Sequence, residues 1–323
     1  PALYCQWRCC YNRRVMGRLI RGLAAEGNLR VLALETTDIA EEARERHQLS
    51  PTATAALGRA MSGVLLLTFL LSKTPRERVS LQFVGDGPLG GPVVEAAPDG
   101  LVRGYVKNPQ ADPPLRADGK LNVGAAIGRG ELKVARLLSN EELYQSSVEL
   151  VSGEIAEDLA RYLWQSEQIP SAVLLGVRVN GSGAVHIAGG VAIQVLPGCP
   201  DEVIGRLEQN LQGRTSITDL LLEKGLDGSV ETLMEGLDYD PTDLSVVGFR
   251  EGHIPLHFQC RCSHERALNA LAHFSPQERE EMIVQDGGAE VSCHWCGEIY
   301  QITPEEIRSL SLAEGLVGEA PQA

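Results

Sequence analysis

Four cysteines near the C-terminus limit the fold of this chain more than any other feature. They stand as Cys260-Arg261-Cys262 and, after thirty residues without a cysteine, as Cys293-His294-Trp295-Cys296-Gly297. Two tight pairs bridged by one foldable insert supply what a closed four-sulfur zinc site needs: tetrahedral thiolates at about 2.3 Å, two from each side. Gly297 suits a tight knuckle in which a backbone N–H turns toward sulfur. The first pair is unusual, because one residue separates its thiols where about two to four are common. Cys260, Cys262, Cys293 and Cys296 are therefore the candidate ligands of one zinc ion; buried, unrelated thiols are the plainer alternative. His253, His257, His264, His273 and His294 lie nearby in sequence, and any of them could replace a cysteine in the set.

The remaining four cysteines do not extend this into a disulfide framework. Cys5, Cys9 and Cys10 crowd the first ten residues and Cys199 stands alone. CxC and CxxC pairs in a long, helix-rich chain read as metal or redox chemistry in a reducing, cytoplasmic setting. Residues 1–15 show no clear period, and the native start is expected at Met16, with 1–15 a non-native leader. A second, CxxC-like metal site in that leader is the sharper alternative. The longest apolar run, 64–71, is too short to span a bilayer and reads as part of a core helix.

At 323 residues the chain is expected to hold more than one domain. Its net charge is −14, and residues 251–323 carry twelve acidic side chains against four arginines and no lysine, a net of −8. Such a module repels a phosphate backbone, so neither a nucleic-acid nor an anionic-membrane partner is expected.

Along residues 16–198 the pattern is α+β, with a mostly antiparallel sheet and helices packed on it. Runs 18–24 and 29–36 flank Glu26-Gly27-Asn28, a hairpin signature. A charged helix over 38–48 follows, and Ser50-Pro51 then opens a largely apolar helix that runs to about residue 72. Strands are expected at 79–84, 92–97, 101–106, 131–138, 172–179 and 185–196, with an amphipathic helix from about 154 to 167. Gly85-Asp86-Gly87-Pro88-Leu89-Gly90 matches GxGxxG after a strand, yet a β-type run follows where a dinucleotide site needs a helix. It reads as a hairpin turn, and Asp86, Asp99 and Asp112 read as turn residues. No Ser/His/Asp or paired-carboxylate constellation is evident, and no enzymatic site is expected in this domain.

Residues 199–245 change character. Short helical stretches at 202–211, 216–223 and 230–237 are cut by Gly205, Gly213, Gly225, Gly228 and Gly236. Each interior glycine costs on the order of 1 kcal/mol of helix stability, so the segment reads as a helical linker, either inert or deliberately metastable. A zinc-binding module is expected over 246–312, with Ser263 capping a helix, capping boxes at Ser275/Glu278 and Thr303/Glu306, and a tail at 313–323. A module of about 60 residues has little core of its own. Four-thiolate zinc sites contribute about 10–16 kcal/mol of apparent stability in small peptides, so metal loss is expected to unfold it.

These residues resemble the redox-regulated 33-kilodalton heat-shock chaperone family over residues 19–312. The resemblance rests on Glu41-Glu42-Ala43-Arg44, Pro51-Thr52-Ala53, Ala56-Leu57-Gly58-Arg59, the Gly85–Gly90 turn, Val102-Arg103-Gly104-Tyr105-Val106 and Val151-Ser152-Gly153-Glu154. Ser166-Glu167-Gln168-Ile169-Pro170-Ser171, Phe258-Gln259-Cys260 and the CxC…CxxC ending complete it. The leader and Cys199 depart from the pattern, and Cys199 receives no role. The resemblance implies an ATP-independent holdase of the stress response, inactive when reduced and zinc-bound. It further implies that oxidation forms disulfides Cys260–Cys262 and Cys293–Cys296, releases zinc and loosens the linker. The exposed apolar surface then binds unfolding or oxidatively damaged proteins, and the active form is a homodimer. Cys293–Cys296 is expected to close first, because a CxxC loop closes with less strain than a CxC loop. A CxxC dithiol oxidoreductase and a zinc-ribbon interaction module are the alternatives.

Overall fold

A computed structural model describes residues 17–138, 142–212, 216–241 and 254–310. The expected leader and Met16 start, Gly213, the module onset near 246, His253 and the tail lie outside the described residues. The chain divides into two compact units, Pro1–Gln259 and Cys260–Ala323.

The larger unit begins with the hairpin β1 (Arg18–Ala24) and β2 (Leu29–Glu35), followed by α1 (Thr37–His47) and α2 (Pro51–Leu71). Ser50 caps α2 as its sequence suggests: the side-chain oxygen accepts from the Ala53 N–H at 3.1 Å, and Pro51 takes the first helical position. Within α2 every residue except Pro51 and Arg59 is buried. The helix is long and apolar enough to cross a membrane, yet 94% of its apolar window is buried inside the fold. It is the central core helix.

Next come β3 (Arg78–Gly85), β4 (Pro92–Ala96), β5 (Leu101–Val106), α3 (Val123–Ile127), β6 (Gly130–Leu137) and β7 (Leu143–Glu149). Then follow α4 (Ala156–Gln165), β8 (Ser171–Val179), β9 (Val185–Val195), α5 (Asp201–Leu211), α6 (Ile217–Leu233) and β10 (His257–Phe258). The strands form two sheets, where the sequence suggested one. One is β1-β2-β9-β8, fully antiparallel; the other is β10-β5-β4-β3-β6-β7, antiparallel except where β10 runs parallel to β5. Helix α2 packs on β2, β8 and β9 of the first sheet and on β3, β4 and β5 of the second. An all-round apolar helix needs cover on every side, and two sheets supply it.

The Gly85–Gly90 segment is a turn between the antiparallel neighbours β3 and β4, as read. Its glycines allow close backbone approach rather than phosphate binding: a Cβ on Gly85 would lie 1.9 Å from the Ile127 carbonyl oxygen. Asp86 accepts from the Arg129 N–H at 2.7 Å, Asp99 from the Leu101 N–H at 3.3 Å, and Asp112 from the Thr52 hydroxyl at 2.5 Å. All three acids are local supports.

The stretch read as a linker is a packed layer where it is described. Leu207, Ile217, Leu221, Leu226, Val230, Leu233, Met234 and Leu237 bury against Leu29, Val31, Ala33, Ile187, Val191 and Ile193 of the first sheet. Three helical stretches form, as expected: α5 continues through Gly205, and α6 is two helices joined at a kink, the second of them running through Gly228. Gly225, at φ 67° and ψ −174°, interrupts α6.

The smaller unit holds α7 (His264–Leu271), α8 (Pro276–Asp286), the antiparallel pair β11 (Ala289–Ser292) and β12 (Ile299–Ile302), and α9 (Pro304–Ser309). Ser263 caps α7, and both expected capping boxes form, Ser275/Glu278 on α8 and Thr303/Glu306 on α9. Its buried apolar core among the described residues is only Ala267, Leu271, Ile283, Ile302 and Ile307.

Candidate metal centre

Each cysteine pair is placed by an element that the sequence specifies locally. Cys260 and Cys262 lead directly into the Ser263 cap of α7. Cys293 and Cys296 lie in the turn between β11 and β12, which the Cys293 N–H closes onto the Glu298 carbonyl at 2.8 Å. Within the turn, Gly297 donates to the Cys293 carbonyl at 2.8 Å and takes φ 70°, a conformation that favours glycine.

The structure brings all four predicted sulfurs together. They lie within 4.8 Å of one another, and among the described residues they are the one group of close His, Cys, Asp and Glu donors that could hold a metal ion. Between the pairs the sulfurs lie 3.6 Å apart for Cys260 to Cys293 and 3.3 Å apart for Cys262 to Cys296. Four sulfurs at about 2.3 Å from a tetrahedral ion sit about 3.8 Å apart, so this spacing fits one ion. It is far from the S–S length of about 2.05 Å in a disulfide, and none of the four cysteines forms one.

Backbone amides turn toward the sulfurs as the knuckle reading anticipated. Cys262 N–H faces Cys260, Trp295 N–H faces Cys293 and Glu298 N–H faces Cys296. Burial raises the Cys260 pKa, but the Cys262 N–H and the surrounding thiols outweigh it and bring the value down to about 7. Burial pushes the Cys296 thiol far up and Cys293 up as well, and the Cys260 sulfur adds to both. Packed this closely, four thiolates repel one another strongly unless a cation balances them. The all-sulfur donor set suits a soft or borderline ion.

Among the described residues no histidine enters this group. His264 Nε2 lies 2.7 Å from Glu306 Oε1, and its ring meets that of Tyr300 edge-on. His257 belongs to β10 of the larger unit. Tyr300 was not among the expected site residues, yet its hydroxyl donates to Cys262 Sγ at 3.1 Å. The only sequence signal for it is its place on the strand leaving the CxxC turn. Cys199 lies in the larger unit, packed beside the α5–α6 layer.

Comparison with known proteins points in one direction. A family model described as Hsp33 protein matches residues 17–303. The chain is 64% identical over 295 residues to a 33 kDa chaperonin of Thermus thermophilus, covering 91% of this chain and 86% of that protein. It is 49% identical over 299 residues to a 33 kDa chaperonin of Deinococcus radiodurans, covering 92% and 98%. The crystal structure of the 33 kDa chaperonin from Thermotoga maritima superposes with a TM-score of 0.81 at 38% identity, over 91% of this chain and 97% of that one.

Proposed function

The chain belongs to the Hsp33 family, and we propose that it is a redox-regulated, ATP-independent holdase chaperone switched by its four-cysteine centre. The observation that carries this reading is the gathering of all four sulfurs within 4.8 Å. In the reduced state Cys260, Cys262, Cys293 and Cys296 hold one zinc ion as thiolates and the protein is inactive. Zinc supplies charge balance and a rigid tetrahedral link, without redox chemistry of its own.

A peroxide takes an electron pair from one thiolate, leaving a sulfenic acid on sulfur and releasing hydroxide. The second thiolate of the pair attacks that sulfur, expels hydroxide and closes a disulfide. Pairing Cys293 with Cys296 and Cys260 with Cys262 consumes every ligand, and the chain releases its ion. The smaller unit then loses its main support. We place the client surface under the α5–α6 layer, because lifting that layer uncovers Leu29, Val31, Ala33, Ile187, Val191 and Ile193. Clients are unfolding or oxidatively damaged proteins, the active form is a homodimer, and the setting is the reducing cytoplasm. The net charge of −8 over residues 251–323 argues against nucleic acid as a partner.

An oxidoreductase reading fits less well. Its attacking cysteine sits at a helix N-terminus with a lowered pKa, whereas Cys293 follows a strand and burial raises its thiol. The test is to treat reduced protein with hydrogen peroxide at elevated temperature while following zinc release and the aggregation of an unfolding client. Release of zinc with suppression of aggregation is expected. Aggregation that proceeds unchanged after zinc is lost, or turnover of a disulfide substrate, would overturn the proposal.

A further inference from the structure

The four sulfurs of the centre each face a hydrogen-bond donor from the surrounding chain, and one donor differs in kind. Cys260, Cys293 and Cys296 take backbone N–H groups, from Cys262, Trp295 and Glu298. Those donors are fixed by the loops themselves, and no side-chain substitution removes them. Cys262 is followed at once by the Ser263 cap, so the chain enters α7 where a knuckle would otherwise form. Among the described residues its donor, apart from fellow thiols, is the Tyr300 hydroxyl at 3.1 Å. Tyr300 stands on β12, paired across the hairpin with Val291, and its ring rests edge-on against His264.

A phenol hydroxyl is more acidic than a peptide N–H, so it draws more charge from the sulfur it bonds. A thiolate that gives up charge to a donor is a weaker nucleophile toward a peroxide. We propose that Tyr300 sets the order in which the two pairs oxidise, by holding Cys262 back until the Cys293–Cys296 pair has closed. This rests on the redox-switch reading above. Peroxide first converts a thiolate of the CxxC pair to a sulfenic acid and hydroxide. Its neighbour then displaces a second hydroxide to give the disulfide, two electrons having passed to the peroxide.

The geometry also links the first closure to the second. The CxxC turn is closed by the Cys293 N–H on the Glu298 carbonyl, and Ile299 and Tyr300 follow directly in β12. Drawing Cys293 and Cys296 from their present spacing to S–S bonding distance reshapes that turn. The strand carrying Tyr300 shifts with it and frees Cys262. Tyr300 is thus a specificity-determining residue of the switch, acting on a sulfur without taking part in the electron transfer.

The experiment uses the full chain and the Tyr300→Phe variant, which keeps the ring and removes the hydroxyl, with Val291→Ala as a control that loosens the same hairpin. Reduced proteins are loaded with cobalt(II), and the sulfur-to-cobalt charge-transfer band is recorded. Zinc-loaded proteins are treated with hydrogen peroxide, and each cysteine's oxidation is timed by alkylation and mass spectrometry. In Tyr300→Phe the band moves to lower energy and Cys262 oxidises about fivefold faster, so the rate of the CxC pair rises relative to that of the CxxC pair. Val291→Ala accelerates both pairs by the same factor and leaves the ratio of their rates unchanged. An unmoved band with an unchanged Cys262 rate overturns the inference, as does equal acceleration of both pairs in Tyr300→Phe. A wild-type chain that binds neither cobalt nor zinc overturns the metal-centre reading instead, and this inference falls with it.

Discussion

Asp158 shows how much a single side chain can hold in this fold. It is fully buried, and its Oδ1 accepts from the N–H groups of Val151, Ser152 and Gly153 at 2.7, 3.2 and 3.4 Å. Its Oδ2 accepts from Ile155 at 2.9 Å. Ile155 is itself buried and held at φ 75°, ψ −53°, with the Ala156 N–H on the Glu154 carbonyl at 3.0 Å. A β-branched residue at positive φ is strained and persists only where its surroundings fix it. Asp158→Ala leaves four backbone donors unpaired and is expected to cost at least about 3 kcal/mol. Asp158→Asn keeps the acceptor for three of them and sets N–H against N–H at Ile155, a loss of about 1–3 kcal/mol. Urea unfolding of the two variants checks both the size and the ranking. Ser152-Gly153-Glu154 reads in the sequence as the start of a helix, but the convergence of these amides on one carboxylate was not visible there. That convergence depends on the path of the backbone, which side-chain pattern does not encode.

At the scale of elements, the α5–α6 layer separates local preference from packing. Gly205 and Gly225 looked alike in sequence, as breaks in weak helices. In the fold Gly205 lies inside α5, and nothing lies within 4 Å of where its Cβ would stand. Gly225 takes φ 67° and ψ −174°, a backbone region closed to other residues. The two therefore have opposite signs. Gly205→Ala is expected to stabilise the layer by about 0.5–1 kcal/mol, while Gly225→Ala destabilises it by about 1–3 kcal/mol. Hydrogen exchange across α5 and α6 measures both. If this layer opens to receive clients, Gly205→Ala also raises the peroxide dose needed for activity, and Gly225→Ala lowers it. The capped helices were legible because a cap is a contact between near neighbours: Ser50, Ser275 and Thr303 each bond an amide three residues on. Strand β7 was not, because it is exposed along most of its length and shows no alternation, with Leu143 59% exposed.

On the scale of the whole molecule, the two units differ in what holds them. The larger has α2 buried between two sheets; the smaller has five buried apolar residues and four clustered sulfurs. Stripping the metal with a chelator under reducing conditions is expected to raise hydrogen exchange throughout residues 260–310. The strands around α2 should stay protected. Loss of protection in both units together, or in neither, would contradict this division of stability.

The cysteine spacing, the capping boxes and the apolar run of α2 were determined by the sequence alone, because each arises from residues close together along the chain. The tertiary structure decided the rest. It split the strands into two sheets, since α2 exposes apolar surface on all sides and one sheet covers only one of them. It turned the glycine-rich linker into a packed layer, since the outer face of the first sheet had to be covered. It also set Tyr300 against Cys262, a contact across 38 positions that exists only once β12 lies beside the α7 entry.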